Sequence, residues 1–261
     1  MRLKKLSFLF LFTMGLSVAQ EKKTAEEMVT DRPDATESSR VVPKGSIQIE
    51  TGAFYETYKK TFIQKEQWAY HTTLVRYGLL HNLELRLGMD MGGTSVALNN
   101  STIGVLDKMI SPLLLGVKIA ISEEKNGLPE MAFIGHLHLP FTASTMIKPE
   151  TTGVDFRFAA THTLSEQSSL SYNVGMQWGE GSPEAAYVYT VAYGYSFTSK
   201  LGGFVELYGD LPENSIANHL WDTGVTYLLN ANIQLDASVG TSITDGQDIL
   251  ISAGVSFRLP K

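Results

Sequence analysis

The last stretch of the chain, residues 248–259, alternates apolar and polar residues. In an extended chain, successive side chains point to opposite faces, so every second residue shares a face. One face carries Ile249, Ile251, Ala253, Val255, Phe257 and Leu259, and the other carries Ser252, Gly254, Ser256 and Arg258. Segments with the same period follow one another over most of the chain. The pattern predicts an all-β protein.

The N-terminus has the features of an export signal. Arg2, Lys4 and Lys5 precede an apolar run, residues 6–16, that is short for a membrane span, and small residues follow at 17–19. We expect residues 1–19 to be a signal peptide, although a signal anchor would have a similar composition. Residues 20–44 are polar and show no periodicity, so they form either a solvated leader or a plug that folds into the mouth of residues 45–261.

Twelve candidate strands follow the polar segment. They are residues 45–58, 67–79, 82–92, 113–122, 130–140, 151–163, 168–178, 185–197, 201–209, 217–229, 231–240 and 247–259. Most are longer than the five or six residues of an average globular strand and are close to the roughly nine to eleven that a tilted membrane strand needs. No other stretch resembles a transmembrane helix. A membrane location would therefore require a closed barrel, because lipid cannot satisfy a free sheet edge.

The connections predict how such a barrel would be oriented. Links near residues 80–82, 163–168, 198–200 and 229–231 are short, and those near 59–66, 92–112, 141–150, 179–183, 210–217 and 241–246 are longer. Short periplasmic turns and longer extracellular loops are typical of outer-membrane barrels. We interpret the apolar stretch 103–115 as part of the longest loop.

A soluble β-sandwich or lipocalin-like barrel would show the same alternation. The polar face favours a membrane barrel, because it is rich in Gly, Ser, Thr and Asn and poor in charge, as a confined lumen would be. Aromatic residues near strand ends could form interfacial girdles: Tyr55, Trp68, Tyr70, Trp178, Tyr195, Phe197, Trp221 and Tyr227. We predict a transmembrane antiparallel β-barrel of about twelve strands in up-and-down order. It would lie among the lipids of the outer membrane of a Gram-negative bacterium.

The C-terminus also carries a pattern of the kind that directs barrel assembly. Ser252, Gly254, Phe257 and Leu259 fit polar-x-Gly-x-x-apolar-x-apolar, which resembles the signal that outer-membrane barrels present to the barrel-assembly machinery. Pro260 and Lys261 depart from that signal, since such barrels usually end at the final aromatic residue.

Composition argues against several other classes of function. The chain has no cysteine, and its 21 basic and 27 acidic residues give a net charge of −6 without a basic stripe, so we expect no nucleic-acid partner. His136 and His138 share a strand face but make an incomplete metal site, so we expect no metal and no cofactor. No spacing of Ser, His and acidic residues singles out a catalytic triad, and we assign no catalytic residue.

Charged residues recur on the polar faces of the strands. The candidates for the lumen wall are Glu50, Arg76, Glu84, Arg86, Asp90, Lys118, His136, His138, Asp155, Arg157, Glu206, Asp222, Asp236 and Arg258. Glu84 and Arg86 share a face, as do Asp155 and Arg157, and Arg76 lies across a tight turn from Glu84. These groups could line a polar pathway. We favour the alternative that they form a charge network that stabilises the wall, since a half-buried charge is costly unless paired.

Several blocks resemble a known family. Residues 30–34 (TDRPD) and 36–38 (TES), then 42–46 (VPKGS) leading into 48–52 (QIETG), resemble the opening of the putative MetA-pathway-of-phenol-degradation proteins. Residues 74–78 (LVRYG), 83–86 (LELR), 203–208 (GFVELY) and 222–227 (DTGVTY) resemble later blocks. The family looks like outer-membrane channels, which implies transport of a small organic, aromatic or hydrophobic solute. A lipase-like or deacylase-like enzyme and a structural barrel without transport are the alternatives.

The first family block is also the sharpest candidate for a plug. Its polar and rigid residues are Asp31, Arg32, Pro33, Asp34 and Glu37. They stand directly before the first strand, so the segment could enter the barrel mouth and pair with lumen charges.

Overall fold

The computed structural model describes residues 28–179 and 184–259, which are mostly β-strand. The strands are β1 (Ile47–Lys60), β2 (Ile63–Leu80), β3 (Leu83–Leu98), β4 (Ser101–Ile110), β5 (Leu113–Ser122), β6 (Glu130–Leu139), β7 (Gly153–Thr163), β8 (Ser168–Trp178), β9 (Ala185–Ser196), β10 (Leu201–Pro212), β11 (Asn218–Asn230), β12 (Ile233–Ser242) and β13 (Gln247–Leu259). Two short 3₁₀ turns, Pro140–Thr142 and Thr145–Ile147, lie between β6 and β7. The expected signal peptide and the Pro260-Lys261 tail lie outside the described residues.

The strands form one closed antiparallel sheet. β1 pairs with β2 on one side and with β13 on the other, so that Ile47 lies opposite both Tyr77 and Leu259. β3 pairs with β5 through its first half and with β4 through its second half, so β4 and β5 occupy a single position in the wall. The result is a barrel of twelve wall positions in meander order, which confirms the predicted fold.

The prediction that residues 103–115 belong to a loop is wrong. Residues 101–110 form β4, which turns back along β3 through Asn99 and Asn100, both of which have positive φ. β4 exposes both of its faces, so its sequence does not alternate, and Pro112 separates it from β5. Proline has no N–H to offer a ladder and therefore marks such interruptions.

The expected long link at residues 59–66 is also wrong. β1 and β2 are joined by the two residues Thr61 and Phe62, and the polar residues 63–66 belong to β2. On the other side of the barrel, residues 123–129 form a longer link than the short turns expected there. We call the half of the barrel near Ile47 and Leu259 the terminal half, and the half near residues 140–152 the loop half.

The two faces of the wall differ in the way that alternation predicts. Along β3, the outward Leu85, Leu87 and Met89 are 39%, 47% and 41% exposed, whereas the inward Glu84 and Arg86 are buried. Of the proposed girdle residues, Tyr55, Tyr70, Tyr195, Phe197, Trp221 and Tyr227 are exposed, and Trp68 and Trp178 are partly so. An apolar outer surface this extensive indicates contact with lipid. No helix among the described residues has the length and apolarity of a membrane span.

The closed, apolar-faced barrel predicts a characteristic behaviour on gels. The protein should fractionate with outer membranes and migrate differently before and after boiling, because a closed hydrogen-bonded sheet resists detergent until it is heated. The boiled sample is the internal control. Recovery as a soluble periplasmic protein would contradict the membrane barrel.

Candidate functional site

The first described residues, 28–46, lie inside the barrel and contact most of its wall. Their polar groups bond β1 at Glu50, β3 at Glu84, β8 at Asn173 and β10 at Glu206. Further contacts reach β2, β5, β6, β7, β9, β12 and β13. We call residues 28–46 the lumen segment. Apart from a backbone pairing at Gly45, Ser46 and Gly78, most of the hydrogen bonds between the lumen segment and the wall use side chains on at least one side.

Asp31 is the centre of the charge network in the terminal half. Its carboxylate lies 3.2 Å from Arg76, 2.8 Å from Arg86 and 2.9 Å from Lys118, all three of which are buried. Ser38 donates to the same carboxylate from its backbone N–H and its hydroxyl. Burial alone would raise the pKa of Asp31, but the charges of Arg76, Lys118 and Arg86 hold that pKa well below its usual value.

The Arg76, Glu84 and Arg86 side chains meet beside Asp31. Arg76 donates to both Glu84 oxygens at 2.8 and 2.9 Å, and Arg86 donates to Glu84 at 3.0 Å. Arg76 also bonds Glu50, and Glu84 accepts the backbone N–H of Val42. The neighbours that the sequence suggested for Glu84 are therefore in contact, and the lumen segment completes the arrangement.

Arg32 is held in a slot made by two glycines. Gly52 and Gly254 face each other across β1 and β13, and a Cβ added at Gly254 would lie 2.5 Å from the Arg32 guanidinium. That guanidinium donates to Asp236 at 3.0 Å and to Ser252 at 3.1 Å. The absence of side chains at the two glycines therefore lets Arg32 reach the wall.

Asp34, farther along the lumen segment, lies near carboxylates instead of cations. Its neighbours Ala35 and Thr36 bond Glu206, and Asp222 lies opposite Glu206 on the adjacent strand. Burial, Glu206 and Asp222 raise the pKa of Asp34 well above its usual value. Asp31 and Asp34 therefore have opposite electrostatic environments in one short segment.

The two predicted histidines bind a carboxylate on the neighbouring strand. His136 Nδ1 and His138 Nε2 are each 3.0 Å from Asp155, and Arg86 donates to His136 Nε2 at 2.9 Å. Because the guanidinium can only donate, His136 Nε2 accepts and the ring proton lies on Nδ1. Among the described residues, no group of three or more His, Cys, Asp or Glu side chains could hold a metal ion.

A cavity of about 710 Å³ lies on the loop side of the lumen segment. Asp31, Arg32 and Glu37 of the lumen segment line it. Its polar wall includes Asp90, His138, Asp155, Arg157 and Gln177, and its apolar wall includes Leu74, Pro112, Leu114 and Ile147. A second cavity of about 370 Å³ lies against β9, β10 and β11. Arg157 and Gln177 line both cavities.

The other candidates lie as follows. Glu50, Lys118, Glu206, Asp222, Asp236 and Arg258 are buried, and Arg258 bonds Asn232. Asp90 is in the wide, open part of the lumen. Of the predicted assembly signal, Ser252 is buried, Phe257 is partly buried and Leu259 is exposed. Pro33 follows a cis peptide bond in the lumen segment.

Sequence reasoning missed the uncharged residues that bind the lumen segment. Asn173 exchanges two hydrogen bonds with the backbone of Glu37, Gln48 donates to the Val29 carbonyl, and Gln234 donates to Thr30. Each occupies an inward position of its strand. The period-two alternation places all three on the inward face, so it could have identified them, but only charged residues were selected from that face.

Comparisons with known proteins agree with this fold. The sequence family described as "Putative MetA-pathway of phenol degradation" matches residues 30–259. The barrel is similar to the COG4313 outer membrane channel from Pseudomonas putida F1, with a TM-score of 0.67 and 13% identity over 85% of this chain and 98% of that one. No curated protein matches the chain.

Two further solved structures show how widely the fold is shared. The KdgM porin in complex with disordered oligogalacturonate has a TM-score of 0.52 and 10% identity over 81% of this chain and 98% of that one. The translocator domain of the autotransporter NalP from Neisseria meningitidis has a TM-score of 0.53 and 11% identity over 84% and 90%. A porin and a translocator are both similar, so the fold by itself does not select the function.

The contrast between Asp31 and Asp34 predicts opposite effects of the same substitution. Asp31→Asn should lower the temperature at which the folded gel form is lost, because removing one member of a buried ion pair costs roughly 3–5 kcal/mol. Asp34→Asn should raise that temperature at pH 7, because Asp34, with its raised pKa, must take up a proton to be buried.

The pH dependence of the protein's stability follows from the lowered pKa of Asp31 and the raised pKa of Asp34. The stabilisation from Asp31 is present above its unfolded pKa of about 3.9 and is lost as pH falls through its lower folded value. The gain in stability from Asp34→Asn should be present at pH 7. It should shrink as pH falls toward about 3.9, where Asp34 is protonated in both the folded and the unfolded state. A loss of stability in both variants at pH 7 would contradict the assignment of Asp34.

The glycine slot predicts that the stability of the barrel is sensitive to a larger side chain at Gly254 in β13. Gly254→Val should displace Arg32 from Asp236 and lower the unfolding temperature, with a cost of about 1–3 kcal/mol as for overpacked sites. Ala253→Val, at the exposed neighbouring position, is the matched control. Equal unfolding temperatures for the two variants would show that Arg32 does not need the slot.

Proposed function

The chain belongs to the MetA-pathway phenol-degradation family, and we propose that it is an outer-membrane channel for small organic compounds, gated by its own lumen segment. The observation that carries this proposal is the cavity of about 710 Å³ between the loop half and the lumen segment. It lies within a closed wall, and its inner end is formed by residues of the lumen segment. In this arrangement, movement of the lumen segment would connect the cavity to the other side of the membrane.

The contacts of the lumen segment suit a removable plug. Its interactions with the wall are mostly side-chain hydrogen bonds and ion pairs, which hydrogen bonds to water can replace when the lumen segment moves out. A strand fully paired into the sheet would instead have to break a ladder of backbone bonds. The lumen segment therefore has one defined position in the barrel, although it is not a strand of the wall.

The distribution of charge argues against a barrel that serves only as a structure. In the terminal half, paired charges and the lumen segment fill the interior. The loop half contains the two cavities and, at Arg157 and Gln177, polar side chains that line both of them. A purely structural barrel would not need open volume lined by both polar and apolar groups.

The histidine contacts give no support to the alternative of a serine hydrolase. His136 and His138 bond Asp155, His162 bonds Tyr172, and His219 bonds Tyr189. A hydrolase needs a nucleophile and a base in hydrogen-bond contact. These rings bond carboxylate and phenol groups instead. His71 contacts the Thr73 hydroxyl at 2.6 Å, but no carboxylate among the described residues is hydrogen-bonded to that ring. We therefore propose that the protein is not an enzyme.

The barrel fold, matching bacterial outer-membrane channels and porins, indicates an outer-membrane location. We propose that the protein belongs to a Gram-negative bacterium, with outer-membrane lipids around the wall and the barrel-assembly machinery acting on the Ser252–Leu259 pattern. The family description and the mixed polar and apolar cavity support a small organic solute.

The absence of cysteine allows a direct test of gating. The Thr36 and Thr190 hydroxyl oxygens are 2.7 Å apart, so a Thr36→Cys/Thr190→Cys disulfide should lock the lumen segment to β9. In planar bilayers we expect the reduced protein to conduct and the oxidised protein to be closed.

A second cysteine pair controls for cross-linking itself. Thr51 and Thr73 lie 2.9 Å apart on β1 and β2, so Thr51→Cys/Thr73→Cys joins two wall strands without holding the lumen segment. Its conductance should be the same with and without oxidant. If neither the reduced Thr36→Cys/Thr190→Cys protein nor Asp31→Asn conducts, the channel proposal is wrong.

A further inference from the structure

Arg157 is bonded less completely than Arg76 and Arg86, and its side chain is 21% exposed. Among the described residues, its Nε is buried without a hydrogen-bond partner, and Nη1 makes one long bond of 3.4 Å to the Ala35 carbonyl. The nearest carboxylate in an ion pair with it, Asp155, is 3.9 Å away. By comparison, Arg76 bonds both Glu84 oxygens at 2.8 and 2.9 Å.

The neighbouring carboxylates cannot satisfy Arg157, because they are already bonded. Asp155 accepts from His136 and His138, and Glu37 binds Arg86 at 2.5 Å. A guanidinium N–H that is buried without a partner is unfavourable unless another group provides an acceptor. A planar guanidinium is best satisfied by a carboxylate, which accepts two parallel hydrogen bonds.

The position of Arg157 puts these donors on the path through the lumen. With Gln177 it lines both the 710 Å³ and the 370 Å³ cavity, so a solute passing from one to the other meets this pair. The larger cavity also has an apolar wall that includes Leu74 and Leu114, which can hold a ring or a short alkyl chain. Of the carboxylates that line this cavity, Asp90 lies on β3, three wall positions from Arg157 on β7.

From these observations we infer that Arg157, assisted by Gln177, binds the carboxylate of a small organic acid whose apolar part rests against Leu74 and Leu114. This deepens the proposed channel function, on which it rests, by naming small organic carboxylates as the solute class. A neutral compound of the same size would leave the Arg157 donors unused and would bind more weakly.

The test measures binding by calorimetry on the folded, detergent-solubilised protein, with benzoate as the anionic probe and benzyl alcohol as its neutral counterpart. The wild-type protein should bind benzoate more tightly. Arg157→Gln should weaken benzoate binding by about tenfold or more, which is the loss expected for a charge-assisted pair, and change benzyl alcohol binding by less than about twofold.

Two further variants separate a specific site from a general effect of charge. Arg157→Lys keeps the charge without the planar fork and should recover part of the benzoate affinity. Lys200→Gln removes a positive charge from the exposed turn between β9 and β10 and should bind benzoate as the wild type does. Migration before and after boiling checks that each variant is folded.

The possible outcomes separate this inference from the channel proposal. No benzoate binding to the wild-type protein, or equal benzoate affinity in wild type and Arg157→Gln, overturns the role of Arg157, while conductance of the reduced Thr36→Cys/Thr190→Cys protein would still support the channel. Arg157-dependent benzoate binding in a protein that never conducts would support the binding site and overturn the channel.

Discussion

The ion pairs around Asp31 are the interaction on which the rest of the lumen depends. Arg76, Arg86 and Lys118 point into the terminal half from three different strands, and all three are buried. Three cations at this spacing repel one another and lose their hydration, so they need carboxylates close by. Glu84 and Glu50 supply part of the compensation from the wall, and Asp31 supplies the remainder from the lumen segment.

This arrangement means that the wall and the lumen segment specify each other. The wall presents cations near Asp31, a glycine slot for Arg32 and an amide at Asn173 for the backbone of Glu37. Together these contacts fix one position for a segment with almost no secondary structure. Because the contacts are polar, the same lumen can release the segment into water without exposing an apolar core.

The two halves of the lumen have different physical characters. In the terminal half, charges are paired and the interior is filled, which stabilises the closed barrel. In the loop half, open volume remains, and the residues between 140 and 152 cover it by bonding the chain near Pro112, where Ser144 bonds Ile110 and Thr142 bonds Leu113. A cavity with one apolar and one polar wall can orient an amphipathic solute, which a fully paired charge network cannot do.

The amino-acid sequence by itself determined the fold. Alternation with period two separates inward from outward residues wherever a strand has lipid on one side and a polar lumen on the other, as in Leu85 against Glu84. The alternation did not predict β4, because a strand with both faces exposed has no reason to alternate. It also did not predict the polar start of β2, where a loop between strands was expected. The inward positions of the charged residues were also predictable, because they depend only on period two.

Only the tertiary structure decided which of those charges meet. Residues as distant as Arg32 and Asp236, or Asp31 and Lys118, come together because the closed wall brings separate strands around one segment. The same closure leaves Asp34 beside Glu206 and Arg157 beside two cavities, although nothing local distinguishes these side chains from their neighbours. Period two fixes the face that a residue occupies, whereas its partner across the lumen depends on the register and closure of the whole barrel.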